Sequence, residues 1–193
     1  MKRTWASKIV LSISLALFLV FSLITASASE VRAGRPEAKP VVDGLAEGYG
    51  MDAVTAGKAA VSIAVWQDRI FIHVKTKATG WVSIAFNRQG KGMDGGNMIF
   101  GYLDSSGKAA VRNDLGRGWS HSASAKQDVA EFAFKVVDGE ASFEFSYPLA
   151  FASGYGIKGL EAGTVYTMLV ACNERSNSLT AKHSWYAKID FSI

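Results

Sequence analysis

The sequence predicts an all-β fold, a sandwich of two antiparallel sheets, and three observations carry this prediction. Apolar and polar residues alternate with a period of two along most of the chain, which is typical of half-buried strands. Turn sequences such as Asp138-Gly139 separate the alternating stretches. No stretch after residue 28 has a convincing helical period. About nine or ten short strands are therefore expected to pack in two layers.

Residues 1–28 are expected to be a secretory signal peptide. Three basic residues precede an apolar run over residues 9–24, and Ala26-Ser27-Ala28 provides the small residues that a signal peptidase reads. The run is short for a membrane span. We therefore expect cleavage after Ala28, a secreted or periplasmic protein, and no stable membrane span once the signal is removed.

Charge and cysteine content exclude several functions. Without residues 1–28 the net charge falls from +4 to +1, because three positive charges and no negative ones are removed. No basic block remains, which argues against nucleic-acid binding. Cys172 is the only cysteine, so an intramolecular disulfide and a zinc site of several thiolates are excluded. Its alternation with Met168 and Val170 makes it a core residue.

The chain after the signal divides into an arm and one domain. Residues 29–40 are polar, contain two prolines and show no periodicity, so a flexible N-terminal arm is expected. Residues 41–193 show no linker and no internal repeat, and form a single domain.

Four predicted strands and a glycine-rich loop make up the first half of the domain. Turns at Gln67-Asp68 and Thr79-Gly80 separate the first three strands, and the loop over residues 90–97 precedes the fourth. Their apolar positions are Val61, Ile63 and Val65; Ile70, Ile72 and Val74; Val82, Ile84 and Phe86; and the run from Met98 to Leu103.

The second half begins with residues 113–127, which are rich in Gly and Ser and are expected to form a loop over one end of the sheet. Residues 148–163 are expected to be irregular or briefly helical. The predicted strands are marked by Phe132, Phe134 and Val136; by Phe143, Phe145 and Tyr147; and by the stretches 165–172 and 182–193.

Met93 is the first candidate functional residue. It lies in the turn Gly92-Met93-Asp94-Gly95-Gly96, although loops run over the surface, where a large apolar side chain is unusual. The methionine either plugs an end of the core or uses its sulfur to bind a ligand. The neighbouring glycines would let the backbone approach a ligand closely.

His183 is the second candidate. Alternation in the last strand places it on the same inward face as Trp185 and Phe191. A buried imidazole needs a partner, so His183 is either a hydrogen-bonded core residue or a ligand. By contrast, His73 is expected at a solvated rim, and His121 in an exposed loop. A thioether and an imidazole together can hold a haem iron from both sides.

Catalytic motifs are absent from the sequence. It has no obvious carboxylate pair for glycoside hydrolysis, no nucleophile elbow, no zinc-protease helix and no phosphate-binding loop. The protein is therefore not expected to be an enzyme. Asp94, Asn97 and Asp104 supply too few oxygen atoms for a calcium site.

Several segments resemble the core of a DOMON domain. They are Gly80-Trp81-Val82-Ser83-Ile84-Ala85-Phe86, then Met93-Asp94-Gly95-Gly96-Asn97-Met98, and the strand that follows it to Asp104. Gln127-Asp128-Val129 is similar to the family's Q-D segment. Phe143-Glu144-Phe145-Ser146-Tyr147-Pro148-Leu149 is similar to its F-x-F-x-R-P-L strand, with Tyr147 where an arginine is common. The resemblance covers residues 59–183.

The resemblance implies an immunoglobulin-like sandwich that binds haem or sugar. Haem-binding members use a methionine and a histidine as axial ligands, and Met93 and His183 stand at the matching positions. It therefore implies haem b, bound without a covalent link because no C-x-x-C-H motif is present, and one-electron transfer with a redox partner protein or a membrane cytochrome. The expected apolar walls of the haem site are Trp81, Phe86, Phe100, Tyr102 and Trp185.

Carbohydrate binding is the alternative. Val41-Val42-Asp43-Gly44-Leu45-Ala46-Glu47 resembles the opening of family 9 carbohydrate-binding modules, which belong to the same superfamily. In this hypothesis the domain has no cofactor, and exposed aromatics such as Trp66 and Trp119 stack on sugar rings. A structural adhesion domain is the third hypothesis.

Overall fold

The computed structural model describes residues 30–87, 93–151, 157 and 159–193, and these residues form strands and no helix. The strands of this part of the chain are β1 Val31–Arg32, β2 Val54–Ala56, β3 Ala59–Trp66, β4 Arg69–Lys77, β5 Val82–Asn87, β6 Asn97–Leu103, β7 Ala109–Arg117, β8 Ser120–Ala123, β9 Glu131–Val137, β10 Glu140–Pro148, β11 Val165–Cys172 and β12 Trp185–Ser192. The expected signal peptide and residues 88–92 of the glycine-rich loop lie outside the described residues.

The strands form two sheets that pack face to face. One has seven strands in the order β1-β12-β11-β5-β6-β7-β8, and the other has five in the order β2-β3-β4-β10-β9. Neighbouring strands are antiparallel except β1 and β12. The predicted all-β sandwich is therefore confirmed. The Asp138-Gly139 hairpin is also present, with positive φ angles of 52° and 77°.

Aromatic side chains fill the space between the sheets. Phe86 of β5 packs against Phe151 and Phe191, with ring centroids 5.9 and 6.1 Å apart. Gly101 of β6 leaves room for Phe143, since a Cβ at this glycine would lie 2.3 Å from the phenyl ring. Burial of each such side chain stabilises the fold by about 1.5–3 kcal/mol. This inter-sheet core takes one face of every central strand and leaves the other face outside.

A closed ring of hydrogen bonds lies within this core. Asn97 Nδ2 donates to Tyr147 Oη (2.8 Å), Tyr147 Oη donates to Asn113 Oδ1 (2.6 Å), and Asn113 Nδ2 donates to Asn97 Oδ1 (2.6 Å). All three residues are fully buried. Each polar atom of the ring thus has a partner, which offsets the cost of burying it.

The N-terminal arm is ordered where it meets the sheets, so the expectation of a flexible segment is wrong for residues 31–34. Val31 and Arg32 pair with Phe191 and Ser192. Gly34 N donates to Ile63 O, and Gly34 O accepts from Val65 N, both at 2.9 Å. The arm therefore bonds to both sheets.

The expected loop over residues 113–127 is also wrong in its first part. This stretch contains the end of β7 and all of β8, joined by a turn in which Gly118 has a positive φ of 57°. Within residues 148–163, the described positions contain no helix, and Ala150 forms an isolated bridge with Gly159.

Candidate functional site

The outer face of the seven-stranded sheet carries an apolar cluster, although this face points away from the inter-sheet core. Side chains alternate along β5, so Phe86 enters the core and Ala85 lies outside. The outer cluster consists of buried Trp81, Ala85, Met98, Phe100 and Leu179, with partly buried Met93, Tyr102, Leu169 and Ala171. Because this apolar cluster lies on an outer sheet face and not between the sheets, it marks a candidate ligand site.

Small side chains form the floor of this face, and aromatic rings stand beside them. Ser83 and Ala85 of β5 and Ala171 of β11 lie in neighbouring outward positions, since Ser83 pairs with Ala171. Trp81 packs edge-on against Phe100, with centroids 5.3 Å apart. This region, with small side chains on β5 and β11 and an aromatic wall on the β6 side, is called the trough below; Ser83 and Ala85 on its floor are buried.

Met93 lies on the β6–β7 side of the trough. Its carbonyl accepts from Gly96 N (2.9 Å) and rests on Gly116 of β7, where a Cβ would come within 1.9 Å of it. The turn therefore lies flat on the sheet because residue 116 has no side chain. The Met93 side chain is half-buried against the outer cluster rather than in the inter-sheet core.

The segment over residues 173–184 covers the far end of the trough. Trp81 Nε1 donates to Ser178 O (3.1 Å), and Leu103 N donates to Asn177 Oδ1 (3.3 Å). Leu179 of the same segment is buried in the outer cluster. Hydrogen bonds from both β6 and the start of β5 thus hold the segment over the aromatic wall.

His183 lies at the end of this segment, on the β12 side of the trough. It is half-buried, and its ring packs edge-on against Tyr186 with centroids 5.2 Å apart. The expectation that His183 sits inside the last strand is wrong, since β12 begins at Trp185 and the alternation does not reach residue 183. Burial lowers the pKa of His183, and the Lys182 charge acts in the same direction. The imidazole is therefore neutral near pH 7.

The structure groups some of the expected wall residues and separates others. Trp81, Phe100 and Tyr102 belong to the outer cluster together with Met93. Phe86 and Trp185 do not, because strand alternation turns both toward the inter-sheet core. The expectation that Phe86 and Trp185 line the same site as Trp81 is therefore wrong.

His121 belongs to this face, and sequence reasoning missed it. It lies in β8 rather than in an exposed loop, and its Nδ1 is 2.6 Å from Asp114 Oδ2. Its ring stacks on Phe100 at a centroid distance of 4.8 Å and an interplanar angle of 26°. The sequence offers one signal for the contact of His121 with Asp114. It is the Arg112-x-Asp114 spacing, which puts two opposite charges on one face of a strand.

Asp114 anchors both basic neighbours. Arg112 donates two hydrogen bonds to it, each 2.6 Å long, and the carboxylate is completely buried. Burial alone would raise the pKa of Asp114, but hydrogen bonds from His121 and Arg112 hold that pKa below its ordinary value. The carboxylate is therefore ionised and fully occupied by its neighbours.

His73 lies far from the trough, on the five-stranded sheet. The expectation of a solvated rim residue is wrong, because the side chain is buried and its Nε2 is 2.8 Å from Ser142 Oγ. The three acids and amides considered for calcium are also dispersed: Asp94 accepts from Gly118 N, Asn97 belongs to the core ring, and Asp104 accepts within its own turn. In the described part of the chain, no group of three or more His, Cys, Asp or Glu side chains is placed to hold a metal ion.

A family model for the DOMON domain matches residues 55–186. The match covers more than half of the chain, so this protein belongs to the DOMON domain family. The resemblance inferred from the Trp81–Phe86 and Met93–Asp104 motifs is therefore confirmed. No curated protein sequence matches the chain.

The chain is similar to several solved structures at low sequence identity. The cytochrome b domain of pyranose dehydrogenase from Coprinopsis cinerea is 13% identical, with 69% of this chain and 75% of that chain covered and a TM-score of 0.50. The cytochrome domain of Myriococcum thermophilum cellobiose dehydrogenase is 13% identical (68% and 74% covered, TM-score 0.46). A family 9 carbohydrate-binding module from Caldicellulosiruptor kristjanssonii in complex with glucose is 10% identical (83% and 85% covered, TM-score 0.46). Among the described residues, no helix is long and apolar enough to cross a membrane.

Proposed function

We propose that this DOMON domain binds haem b on its outer face, without a covalent link, and transfers single electrons. The observation that supports the proposal is that a methionine and a histidine lie on opposite sides of the trough. Met93 offers a thioether from the β6–β7 side, and His183 offers an imidazole from the β12 side. Thioether and imidazole ligation is typical of electron-transfer haem proteins.

The residues of the trough suit a flat, apolar ring. Ser83, Ala85 and Ala171 present small side chains on β5 and β11, so a flat ring could take the place of the residues that cover them, and Trp81 and Phe100 offer aromatic surface beside it. A haem bound here would supply one-electron chemistry at its iron. The lowered pKa of His183 keeps its ring nitrogen lone pair free for a metal at neutral pH.

The chain's own residues would bind the cofactor and exclude water from it. Met93 and His183 would hold the haem iron, through the thioether sulfur and an imidazole nitrogen. Leu179 and the rest of the 173–184 segment cover the face. We expect this segment to move aside as the ring system enters and then to shield it.

Such a domain acts with a partner and carries out no reaction on a substrate of its own. A redox partner protein or a membrane cytochrome would exchange electrons with it. We place it in a secreted or periplasmic setting, in agreement with the expected signal peptide. The direction of electron flow depends on that partner.

The test is reconstitution of the purified protein with haem, followed by absorption spectroscopy. We expect a Soret band and sharp low-spin bands when the iron is reduced. Met93→Leu and His183→Ala should each convert the spectrum to a high-spin form, whereas Met168→Leu, a core substitution of the same kind, should leave it unchanged. A protein that binds no haem, or unchanged spectra in both ligand variants, would exclude the proposal.

Carbohydrate binding remains a second candidate because of one residue. Trp119, in the turn between β7 and β8, is 93% exposed, which is rare for tryptophan and suits stacking on a sugar ring. Trp66, the other expected stacking residue, packs partly buried beside Phe71 and is less suited. Quenching of tryptophan fluorescence by glucose oligomers in the wild type, and its loss in Trp119→Ala, would favour this function.

A further inference from the structure

Two methionines and a histidine share one corner of the outer face. The Met93 carbonyl rests on Gly116, which is the cross-strand partner of His121 in the β7–β8 ladder. Met98 of β6 pairs with Asp114, the residue that binds His121. Met98 and His121 therefore project from the outer face of the two strands that flank β7, and the Met93 turn lies against the same face.

His121 is presented in the manner of a metal ligand. Its Nδ1 is engaged by Asp114, and stacking on Phe100 fixes the plane of the ring. The remaining nitrogen, Nε2, makes no hydrogen bond to a residue that the structure describes. A carboxylate that holds one nitrogen of a histidine while the other is free is the usual outer support of metal-bound imidazoles.

The chemistry of the corner selects a soft cation. Its donors would be two thioether sulfurs and one imidazole nitrogen, while the nearby Asp114 carboxylate is occupied by Arg112 and His121. Hard cations such as Ca²⁺ and Mg²⁺ require several free oxygen ligands. Thioether and imidazole ligands together favour monovalent copper.

We propose that Met93, Met98 and His121 form a Cu(I)-binding site, with Asp114 as the residue that positions His121. Met98 and His121 play no part in the proposed haem ligation. Cu(I) binding therefore needs no haem, but Met93 would serve both metals. Haem and Cu(I) should consequently exclude each other.

Anaerobic titration of the purified, haem-free protein with Cu(I), in competition with a coloured Cu(I) chelator, tests the site. We expect one Cu(I) per chain. Met98→Leu and His121→Phe should each weaken Cu(I) binding at least about tenfold, in the range by which loss of support at a metal site lowers affinity. His121→Phe keeps an aromatic ring on Phe100, and Met168→Leu in the inter-sheet core is the matched control that should bind as the wild type does.

X-ray absorption at the copper edge should show sulfur and nitrogen neighbours in the wild type and sulfur alone in His121→Phe. Thermal unfolding of each variant establishes that it is folded. The proposal is overturned if the wild type binds no Cu(I), or if the folded His121→Phe and Met98→Leu proteins bind it as tightly as the wild type. Haem binding and Cu(I) binding are each measured separately in the wild type, so failure of the copper site and failure of the haem site are distinguishable.

Discussion

At the scale of single residues, the buried polar groups of this sandwich find partners far away in the chain. Glu144 is completely buried and accepts from Gly44 N (2.6 Å), Asp43 N (2.9 Å) and Tyr49 Oη (2.8 Å). Tyr147 occupies the position where the family commonly has arginine, and its hydroxyl completes the ring with Asn97 and Asn113. Such pairs stabilise little individually, but loss of one partner is costly.

Tyr147→Phe should lower the free energy of unfolding by about 1–3 kcal/mol. The substitution preserves the aromatic packing but leaves Asn97 Nδ2 and Asn113 Oδ1 buried without their shared partner. Urea denaturation followed by tryptophan fluorescence measures the change. Tyr102→Phe, which removes a hydroxyl from the partly exposed outer face, is the control and should change stability by less than about 0.5 kcal/mol. Equal losses in the two variants would contradict this account of the ring.

The histidines show how far single residues can be predicted from the sequence. The alternation of apolar and polar residues predicts which face of the sheet a side chain lies on. It does not predict which other segment covers that face. His73 was placed at the rim, yet Gly44 and Ser142 enclose it from segments 29 and 69 residues away. His121 looked like a loop residue, yet Asp114 and Phe100 fix it on the sheet. In both cases the decisive contact is between strands, which local patterns do not record.

At the scale of elements, the period-two pattern found the strands whose inner positions are large and apolar. β3, β4, β5 and β10 are of this kind, and all were predicted near their observed positions. The second half of β7 falls in the expected loop over residues 113–127, because Asn113 and Asp114 are polar and are buried through hydrogen bonds rather than apolar contact. β1 is only two residues long and is ordered by its pairing with β12, which no local pattern could indicate.

The N-terminal arm links the two sheets, and this link depends on a glycine. A Cβ at Gly34 would lie 2.0 Å from Tyr49 O, a backbone atom that no rotamer change moves. Gly34→Ala should therefore separate the arm from residue 49 and destabilise the protein by about 1–3 kcal/mol. Thermal unfolding monitored by circular dichroism measures the loss.

Ala60→Ser, at an exposed position of the neighbouring strand β3, is the control for Gly34→Ala and should leave the midpoint nearly unchanged. Limited proteolysis adds a second measurement. Cleavage in the 30–35 region should become faster in Gly34→Ala and stay slow in the control. A variant as stable and as resistant as the wild type would show that the arm is not part of the cooperative fold.

At the scale of the whole molecule, both sheets are covered on their outer faces as well as packed against each other. The 173–184 segment and the Met93 turn cover the seven-stranded sheet. The chain over residues 42–51 covers the five-stranded sheet, where Tyr49 packs against Phe71 and Ala64. The segment over residues 42–51 is held on the sheet through polar groups that include His73 and Glu144. The stability of the whole fold is therefore sensitive to pH.

Ser142 and its neighbours determine the charge state of His73. The Ser142 hydroxyl donates to Gly44 O (2.7 Å), so Nε2–H of His73 donates to Ser142 Oγ. Burial lowers the pKa of His73 below 6.5, and Lys75 and Lys135 act in the same direction, while the Gly44 carbonyl and Asp43 oppose them. The neutral imidazole is therefore the folded form.

Stability should consequently fall as the pH drops from 7 toward 5. Below 6.5 the unfolded chain takes up a proton that buried His73 resists, so the stabilisation present above 6.5 is lost as pH falls toward the native pKa, with a slope of up to about 1.4 kcal/mol per pH unit. His73→Gln keeps a donor for Ser142 but does not titrate, so its free energy of unfolding should depend less steeply on pH in this range.

Urea denaturation at half-unit pH steps gives the free energy of unfolding of both proteins as a function of pH. His183→Gln serves as the control for the second histidine with a lowered pKa. Glu144, whose pKa burial raises, remains in all three proteins and does not affect the difference between the curves. If the free energy of unfolding changed with pH equally in the wild type and His73→Gln, protonation of His73 would not contribute to the pH dependence of stability.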